Sequence, residues 1–535
     1  MAPRVGIRVD ASARMGTGHL KRCLALAQAL QTAGAAVHFV VRPIDAVAAQ
    51  VLGSTTWPVH WLSQPENGPA VEPPAPDGAL PAAYPDEPPH APWAGVNWVK
   101  DARETVAALQ TQRPDWLVLD HYAFDARWHQ AVTQALGSRL VVIDDTADRS
   151  VAADMLLDQN WHTDHRRKYA GQHAGQVLTA PRWLCGPRFA LLSSAYQSAP
   201  RHRTQPEVRS IGIFMGGTDP GGISAQVLAS CREAGFAGEI EVATTSVNPQ
   251  LADLQAACAS APPTTLLLDA PDLAGFFARH DVQIGAGGGA TWERCCIGAP
   301  TIALALADNQ HAVVPALAEL GALRAASLPS AALADAPPLT TVLTELLPDA
   351  NARAALAERA AALVDGLGAQ RVALAVLAST LRVRSAQLDD AQPLHRWRNH
   401  PAVRAVSIQG EAIAWPSHLA WLGAVLAAPD RWLFIGEVGA VPVGSIRWDR
   451  TRAGELTVSL SLDPELLGLG LGPHLLLAGE QAMLRRLGSA FTALATVLPG
   501  NTVSQRLFET CGYHGGPLRY SKTIEPREGG LHEDS

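Results

Sequence analysis

Short apolar runs, each closing near glycine or an acid and followed by helical spacing, recur along much of the chain. Residues 5–9 form the first, followed by a glycine turn and then by Leu24, Leu26, Ala27 and Leu30 at helical intervals. Residues 37–41 predict the next strand, and the runs Trp116-Leu117-Val118-Leu119-Asp120 and Leu140-Val141-Val142-Ile143-Asp144 continue the alternation. Strand, helix, strand alternation of this kind predicts a parallel α/β sheet, with functional loops at the carboxyl ends of its strands.

A second series starts at Ile211-Gly212-Ile213-Phe214 and runs through residues 239–242, 266–268, 282–284 and 301–304. Two Rossmann-like halves are therefore expected, over residues 1–200 and 201–378, with a hinge near residues 197–205. After an alanine-rich helical region ending near Leu377, β-type sequence resumes at Leu381-Arg382-Val383-Arg384, so a third domain is expected over residues 381–524. A chain of 535 residues exceeds what one core organises and favours about three or four domains. Residues 63–98, crowded with proline, glycine and acids, read as an inserted surface loop, and the polar tail from Glu525 as frayed. The two halves share no internal sequence repeat.

A net charge of -8 argues against a polyanion-binding surface, so no nucleic-acid partner is expected. The first residues lack the apolar core of a signal peptide and no later stretch is long and uncharged enough to span a bilayer, which predicts a cytoplasmic enzyme with no membrane partner. Seven cysteines, an odd number without CxxC spacing, are expected as reduced thiols, with Cys295-Cys296 packing as small apolar groups.

Gly16-Thr17-Gly18-His19 stands after the first strand and opens the first helix, where backbone N–H groups and the helix dipole favour an anion. His19 is thereby set beside a potential diphosphate, and an imidazole can take a proton from water near neutral pH. The turn alone leaves open a histidine that only packs or caps the helix. Asp120-His121-Tyr122 and Asp144-Asp145, with Asp148-Arg149, follow two further strands and point to the crevice where open sheets bind ligands. Asp120 and Asp144 taken singly also fit as caps of the next helix.

In the second series, Met215-Gly216-Gly217-Thr218-Asp219 follows one strand and Gly287-Gly288-Gly289-Ala290-Thr291-Trp292-Glu293 follows another. Glycine lets the backbone approach phosphate oxygens, and Glu293, one turn into the helix, can accept hydrogen bonds from a ribose diol. Two tight turns are the alternative; the row of small residues before the helix favours phosphate.

Together these residues resemble the family of UDP-sugar hydrolases that release 2,4-diacetamido-2,4,6-trideoxy-altropyranose in pseudaminic acid biosynthesis. The resemblance covers most of residues 4–320 and adds Arg8-Val9-Asp10, Arg22-Cys23-Leu24, Leu157-Asp158-Gln159-Asn160, Cys185-Gly186-Pro187-Arg188-Phe189 and Ala307-Asp308-Asn309-Gln310 to the motifs above. It implies the GT-B fold, a pair of Rossmann-like domains shared with the glycosyltransferase that makes lipid II, with the sugar passed to water. It also implies His19 as base, and Tyr122 and Asn309 as residues orienting water or sugar. Gly18, Gly217, Thr218, Gly288 and Gly289 would hold UDP phosphates and Glu293 the ribose, without a metal. The proline-rich insertion at 64–94 departs from the family pattern, without touching a motif.

In the third domain an alternating strand, residues 456–462, leads to Leu467-Gly468-Leu469-Gly470-Leu471-Gly472 and a helix from about residue 474 to 486. This is a nest for a diphosphate that lacks the Lys-Ser/Thr ending of a P-loop. With Asn501 and Cys511-Gly512-Tyr513 farther on, it resembles the GNAT superfamily of N-acetyltransferases over nearly all of residues 381–520, implying an α+β domain that uses acetyl-CoA. Leu467, Gly468, Gly470, Gly472 and Asn501 would contact the coenzyme. The family loop usually begins with Gln or Arg where this chain has Leu467. Tyr513 is the candidate proton donor to the leaving thiolate, or else a buried aromatic; Glu437 is a candidate base through water, or else a solvated edge residue.

The fusion has chemical logic, because the acetyltransferase would make the diacetamido UDP-sugar that the hydrolase consumes. Two alternatives stand beside it: a GT-B glycosyltransferase, and a hydrolase carrying a non-catalytic acetyl-CoA-binding module. Monomer and homodimer are both compatible with the sequence.

Overall fold

The computed structural model describes residues 2–53, 55–65, 87–170, 177–331, 333–452, 454–516 and 518–525. Most of the expected surface loop at 63–98, and the tail beyond residue 525, lie outside the described residues. The chain forms two compact units that divide between residues 372 and 373.

The first unit contains two parallel sheets. One consists of β1 (Arg4–Val9), β2 (Ala36–Val41), β3 (Val59–Trp61), β4 (Trp116–Asp120), β5 (Arg139–Ile143), β6 (Met155–Asp158) and β7 (Arg182–Cys185), in the order β3-β2-β1-β4-β5-β6-β7. The other consists of β8 (Ser210–Phe214), β9 (Glu239–Thr244), β10 (Thr264–Leu268), β11 (Val282–Ala286), β12 (Thr301–Leu304) and β13 (Arg324–Ala325), in the order β10-β9-β8-β11-β12-β13. Every neighbouring pair in both runs parallel. These are the two Rossmann-like halves of a GT-B fold. Their strands are apolar along their length because helices cover both faces; Val5, Ile7, Val118, Val282 and Ile284 are all fully buried.

In each sheet the chain winds outward from its first strand, then returns to that strand's other side. The topological switch therefore lies between β1 and β4 in one half and between β8 and β11 in the other, where ligands bind. The helix Gly18–Thr32 follows β1 and buries Leu20, Cys23, Leu26, Ala27 and Leu30 on the face turned to the sheet. Each fully buried leucine contributes about 2 kcal/mol, which anchors His19 at the helix's first turn. Arg8, charged within β1, is buried only because Asp10 and Asp101 bracket it.

The second unit holds one mixed sheet: β14 (Arg382–Ser385), β15 (Arg431–Val438), β16 (Val441–Arg452), β17 (Glu455–Leu462), β18 (Phe491–Val497), β19 (His514–Gly516) and β20 (Leu518–Ile524). Its order is β14-β15-β16-β17-β18-β20-β19, antiparallel except for β17 beside β18. That parallel pairing ends at Val458 and Ala495, although β17 runs on to Leu462 and β18 to Val497. The two strands thus part toward their carboxyl ends, opening a cleft ahead of the glycine-rich loop. Among the described residues no helix is long and apolar enough to cross a membrane.

Candidate active sites

The loops after β1 and β4 bring His19 to Asp120, with imidazole Nδ1 2.6 Å from carboxylate Oδ1. Arg22, one helical turn after His19, grips both oxygens of the same carboxylate at 2.6 Å. Burial alone would raise the Asp120 carboxyl's pKa, but the Arg22 guanidinium and His19 outweigh it and hold it well below the usual carboxylate range. An ionised Asp120 can only accept, so Nδ1–H donates and the lone pair lies on Nε2. Asp120 and Asp144 do not cap the next helices, contrary to their single-residue reading. Asp125 caps the helix Ala126–Leu136, and Asp144 pairs with Arg149 at 2.8 Å.

The Tyr122 ring stands edge-on to His19, centroids 4.7 Å apart, and its hydroxyl donates to Asp145. The other Asp145 oxygen accepts from Asn160 Nδ2 at 3.1 Å, and Asn160 Oδ1 accepts from Trp292 Nε1 at 3.0 Å. A hydrogen-bonded chain therefore runs from Tyr122 in the first half to the helix Ala290–Ile297 in the second. Two residues of the insertion, His90 and Trp93, pack against the Tyr122 ring. Asn309 is exposed at the start of the helix Gln310–Glu319, and no hydrogen bond joins it to His19 or Tyr122.

The two glycine loops differ. Gly216 has φ +106°, which a side chain would strain, and Gly217 O accepts from Thr245 Oγ1 at 2.6 Å. Thr218 is half-buried, while Asp219 fills the start of the helix Ile223–Glu233 by accepting from Ile223 N and Ser224 N. The helix Ala290–Ile297 has no side-chain cap; Gly288 is half-buried and Gly289 exposed ahead of it. Its N-terminus is thus the one of the two left for an anion. Gly18 is exposed, and a Cβ built on Gly217 would stand 4.0 Å from Thr17 Oγ1, so the loops after β1 and β8 face each other. Burial raises the Glu293 carboxyl's pKa, while a hydrogen bond from Tyr196 and the charge of Lys21 act the other way. Among the described residues no group of three or more His, Cys, Asp or Glu is arranged to hold a metal ion, and all seven cysteines are free thiols.

In the second unit Gly468 and Gly470 adopt φ +84° and +72°, turning the chain into the helix Leu471–Leu487. Leu467 is 40% exposed, whereas Leu469 and Leu471 are buried and pin the loop, and Gly472 lies against Leu507. Asn501 accepts from Ser504 N at 3.1 Å and so caps the helix Thr502–Thr510. Tyr513 is buried beside Glu480; burial and that carboxylate both raise its hydroxyl's pKa. Glu437 accepts from Arg384 Nε at 2.8 Å, so it is an ion-pair partner rather than a free base.

Two Rossmann-like sheets with a His–Asp dyad at a switch point, joined to a split mixed sheet with a glycine-rich loop, define the class: a GT-B-like region followed by an acetyltransferase domain. Residues 393–513 match the Acetyltransferase (GNAT) family model. The N-terminal half is similar to the spore coat polysaccharide biosynthesis protein SpsG of Bacillus subtilis, 22% identical over 267 residues, covering 49% of this chain and 76% of that one. It is also similar to the UDP-2,4-diacetamido-2,4,6-trideoxy-beta-L-altropyranose hydrolase of Campylobacter jejuni, 23% identical over 253 residues, covering 47% and 73%. Among solved structures, Acinetobacter baumannii MurG superposes with a TM-score of 0.45 at 16% identity, covering 69% of this chain and 98% of that one.

Sequence reasoning did not find the roles of Arg22, Asp145 and Asn160. All three stand inside sequence motifs, but their partners lie far off in the chain, and only strand ends meeting in space reveal them.

Proposed function

We propose that the chain is a bifunctional nucleotide-sugar enzyme of pseudaminic acid biosynthesis. Its first unit hydrolyses UDP-2,4-diacetamido-2,4,6-trideoxy-β-L-altropyranose to UDP and free sugar. Its C-terminal domain uses acetyl-CoA to acetylate the 4-amino group of the precursor UDP-amino-sugar. The observation that carries the hydrolase reading is the His19–Asp120 dyad, which leaves Nε2 able to take a proton.

In this reading water attacks the sugar, its proton passes to His19 Nε2, and the bond to UDP breaks with the electron pair leaving on UDP. Tyr122 and Asn309 orient water or sugar. Gly18, Gly217, Thr218, Gly288 and Gly289 contact the diphosphate, with charge building on the leaving group met by the uncapped helix at residue 290. Glu293 takes the ribose. In the C-terminal domain the sugar amine attacks the thioester carbonyl, the carbon–sulfur bond breaks, Tyr513, kept protonated by burial, donates to the thiolate, and the proton lost by the amine nitrogen restores the Tyr513 hydroxyl. The amides of the loop at Gly468, Gly470 and Gly472 receive the coenzyme's pyrophosphate, and Asn501 its arm. Both sites are placed in the cytoplasm, as UDP-sugars and acetyl-CoA require.

The test is mass spectrometry of products from the purified full chain given acetyl-CoA and a UDP-4-amino-sugar. The unaltered chain should yield free diacetamido sugar, UDP and coenzyme A, and His19→Ala should stop at the acetylated nucleotide. Free sugar at an unaltered rate from His19→Ala would remove His19 as the base, and turnover only with an added acceptor would make the first unit a glycosyltransferase. Tyr513→Phe should lower the rate of coenzyme A release without weakening acetyl-CoA binding; an unchanged rate would return Tyr513 to the core.

A further inference from the structure

The Tyr122 ring has neighbours that the proposed mechanism does not use. His90 stands at 5.5 Å, at 62° to the ring plane, and Trp93 at 5.9 Å, tilted by 39°; the two contact each other edge-on at 4.7 Å. Both belong to the final residues of the proline-rich insertion, in and just before the short turn Ala91–Ala94, which closes on Gly95 at φ +67°. His90 Nδ1 lies 3.1 Å from Asp148 Oδ2, and Arg149 spans Asp148 and the Tyr122 ring. Tyr122 is thus flanked by two histidine–aspartate pairs, one holding the candidate base and one supplied by the insertion.

We propose that His90 and Trp93 are specificity-determining residues of the first site, contacting the hexose of a nucleoside diphosphate sugar that is N-acetylated and lacks the 6-hydroxyl. The inference rests on the hydrolase reading and names what that site selects. A half-buried indole offers a flat apolar face to the acetamido methyls and the 6-methyl group, which a fully hydroxylated hexose does not match. With Nδ1 held by Asp148, Nε2 is the His90 nitrogen left to hydrogen-bond an acetamido group. His90 and Trp93 then form part of the wall of the sugar pocket.

Calorimetry on the full chain tests this, with UDP and UDP-2,4-diacetamido-2,4,6-trideoxyhexose as the two ligands and His19→Ala as the background that preserves the bound sugar. Trp93→Ala should weaken the sugar nucleotide about tenfold while UDP alone keeps its affinity. Trp93→Phe, which keeps an aromatic face, should restore most of the difference, and His90→Gln should weaken the sugar nucleotide severalfold. An unchanged ratio of the two affinities, or an equal loss for both ligands, would overturn the proposal. If Trp93→Ala does not fold, the Trp93→Phe and His90→Gln ratios decide. UDP release by the unaltered chain is measured alongside: its absence sinks the hydrolase reading, while release with an unchanged ratio sinks this inference alone.

Discussion

Asp120, at the last position of β4, holds His19 Nδ1 at 2.6 Å and is itself held ionised by Arg22. The carboxylate's part is to fix the tautomer that leaves Nε2 unprotonated. Asp120→Asn keeps the shape but can offer an N–H to Nδ1, which moves the ring proton to Nε2. The variant should lose about 100-fold or more in kcat for UDP release, with UDP affinity little changed. Initial rates from pH 5 to 9 provide the check: a pH profile superimposable on that of the unaltered chain would show that Asp120 does not orient the base.

Asp148 links His90 to Arg149, and stability should register it. Burial would raise its carboxyl's pKa, but the hydrogen bond from His90 and the Arg149 charge lower it from 3.8 to about 2. A carboxyl lowered on folding stabilises fully above its unfolded value, and that contribution disappears as pH falls from 3.8 toward 2. Asp148→Asn should therefore cost up to about 2 kcal/mol at pH 6, with the gap to the unaltered chain closing below pH 4. Urea unfolding at several pH values tests the sign; a gap that widens in acid refutes it.

Trp292 is 1% exposed and its Nε1–H completes the chain through Asn160 and Asp145 to Tyr122. Trp292→Phe retains the ring's bulk but leaves Asn160 Oδ1 without its donor, a loss of about 1–3 kcal/mol for a buried acceptor. The expected result is a fall in kcat with UDP binding preserved, because the phosphate loop's backbone is untouched. Equal losses in kcat and UDP affinity would show that the indole merely supports the loop.

Gly470 carries φ +72° at the N-cap of the helix Leu471–Leu487. Gly470→Ala imposes left-handed strain of about 1 kcal/mol and shifts the amides ahead of the helix. Acetyl-CoA binding should weaken by about tenfold or less while UDP release from the first unit stays at its normal rate. Unchanged acetyl-CoA binding would place the coenzyme elsewhere.

The alternation of apolar runs and glycine turns was enough to read both parallel sheets and the residues opening their loops, because burial on two faces writes itself into each strand's composition. The strands β3, β6, β7 and β13 escaped, being two to four residues long and without a period of their own. Glycine, histidine and acid at strand ends marked where chemistry collects. Which acid meets which base was legible nowhere in the chain order: His19 and Asp120 are 101 residues apart, and Asn160 and Trp292 are 132 apart. The same holds for Glu437, whose carboxylate is taken by Arg384 across an antiparallel pair, and for Trp93, which reaches Tyr122 only when β4 is in place beside β1. By itself the sequence determined the elements, their faces and the loops that could bind a diphosphate, since these depend on residues near one another. Only the tertiary structure decided the pairings, tautomer and charge of the candidate sites, since those follow from groups brought together by packing at distances of a few ångströms.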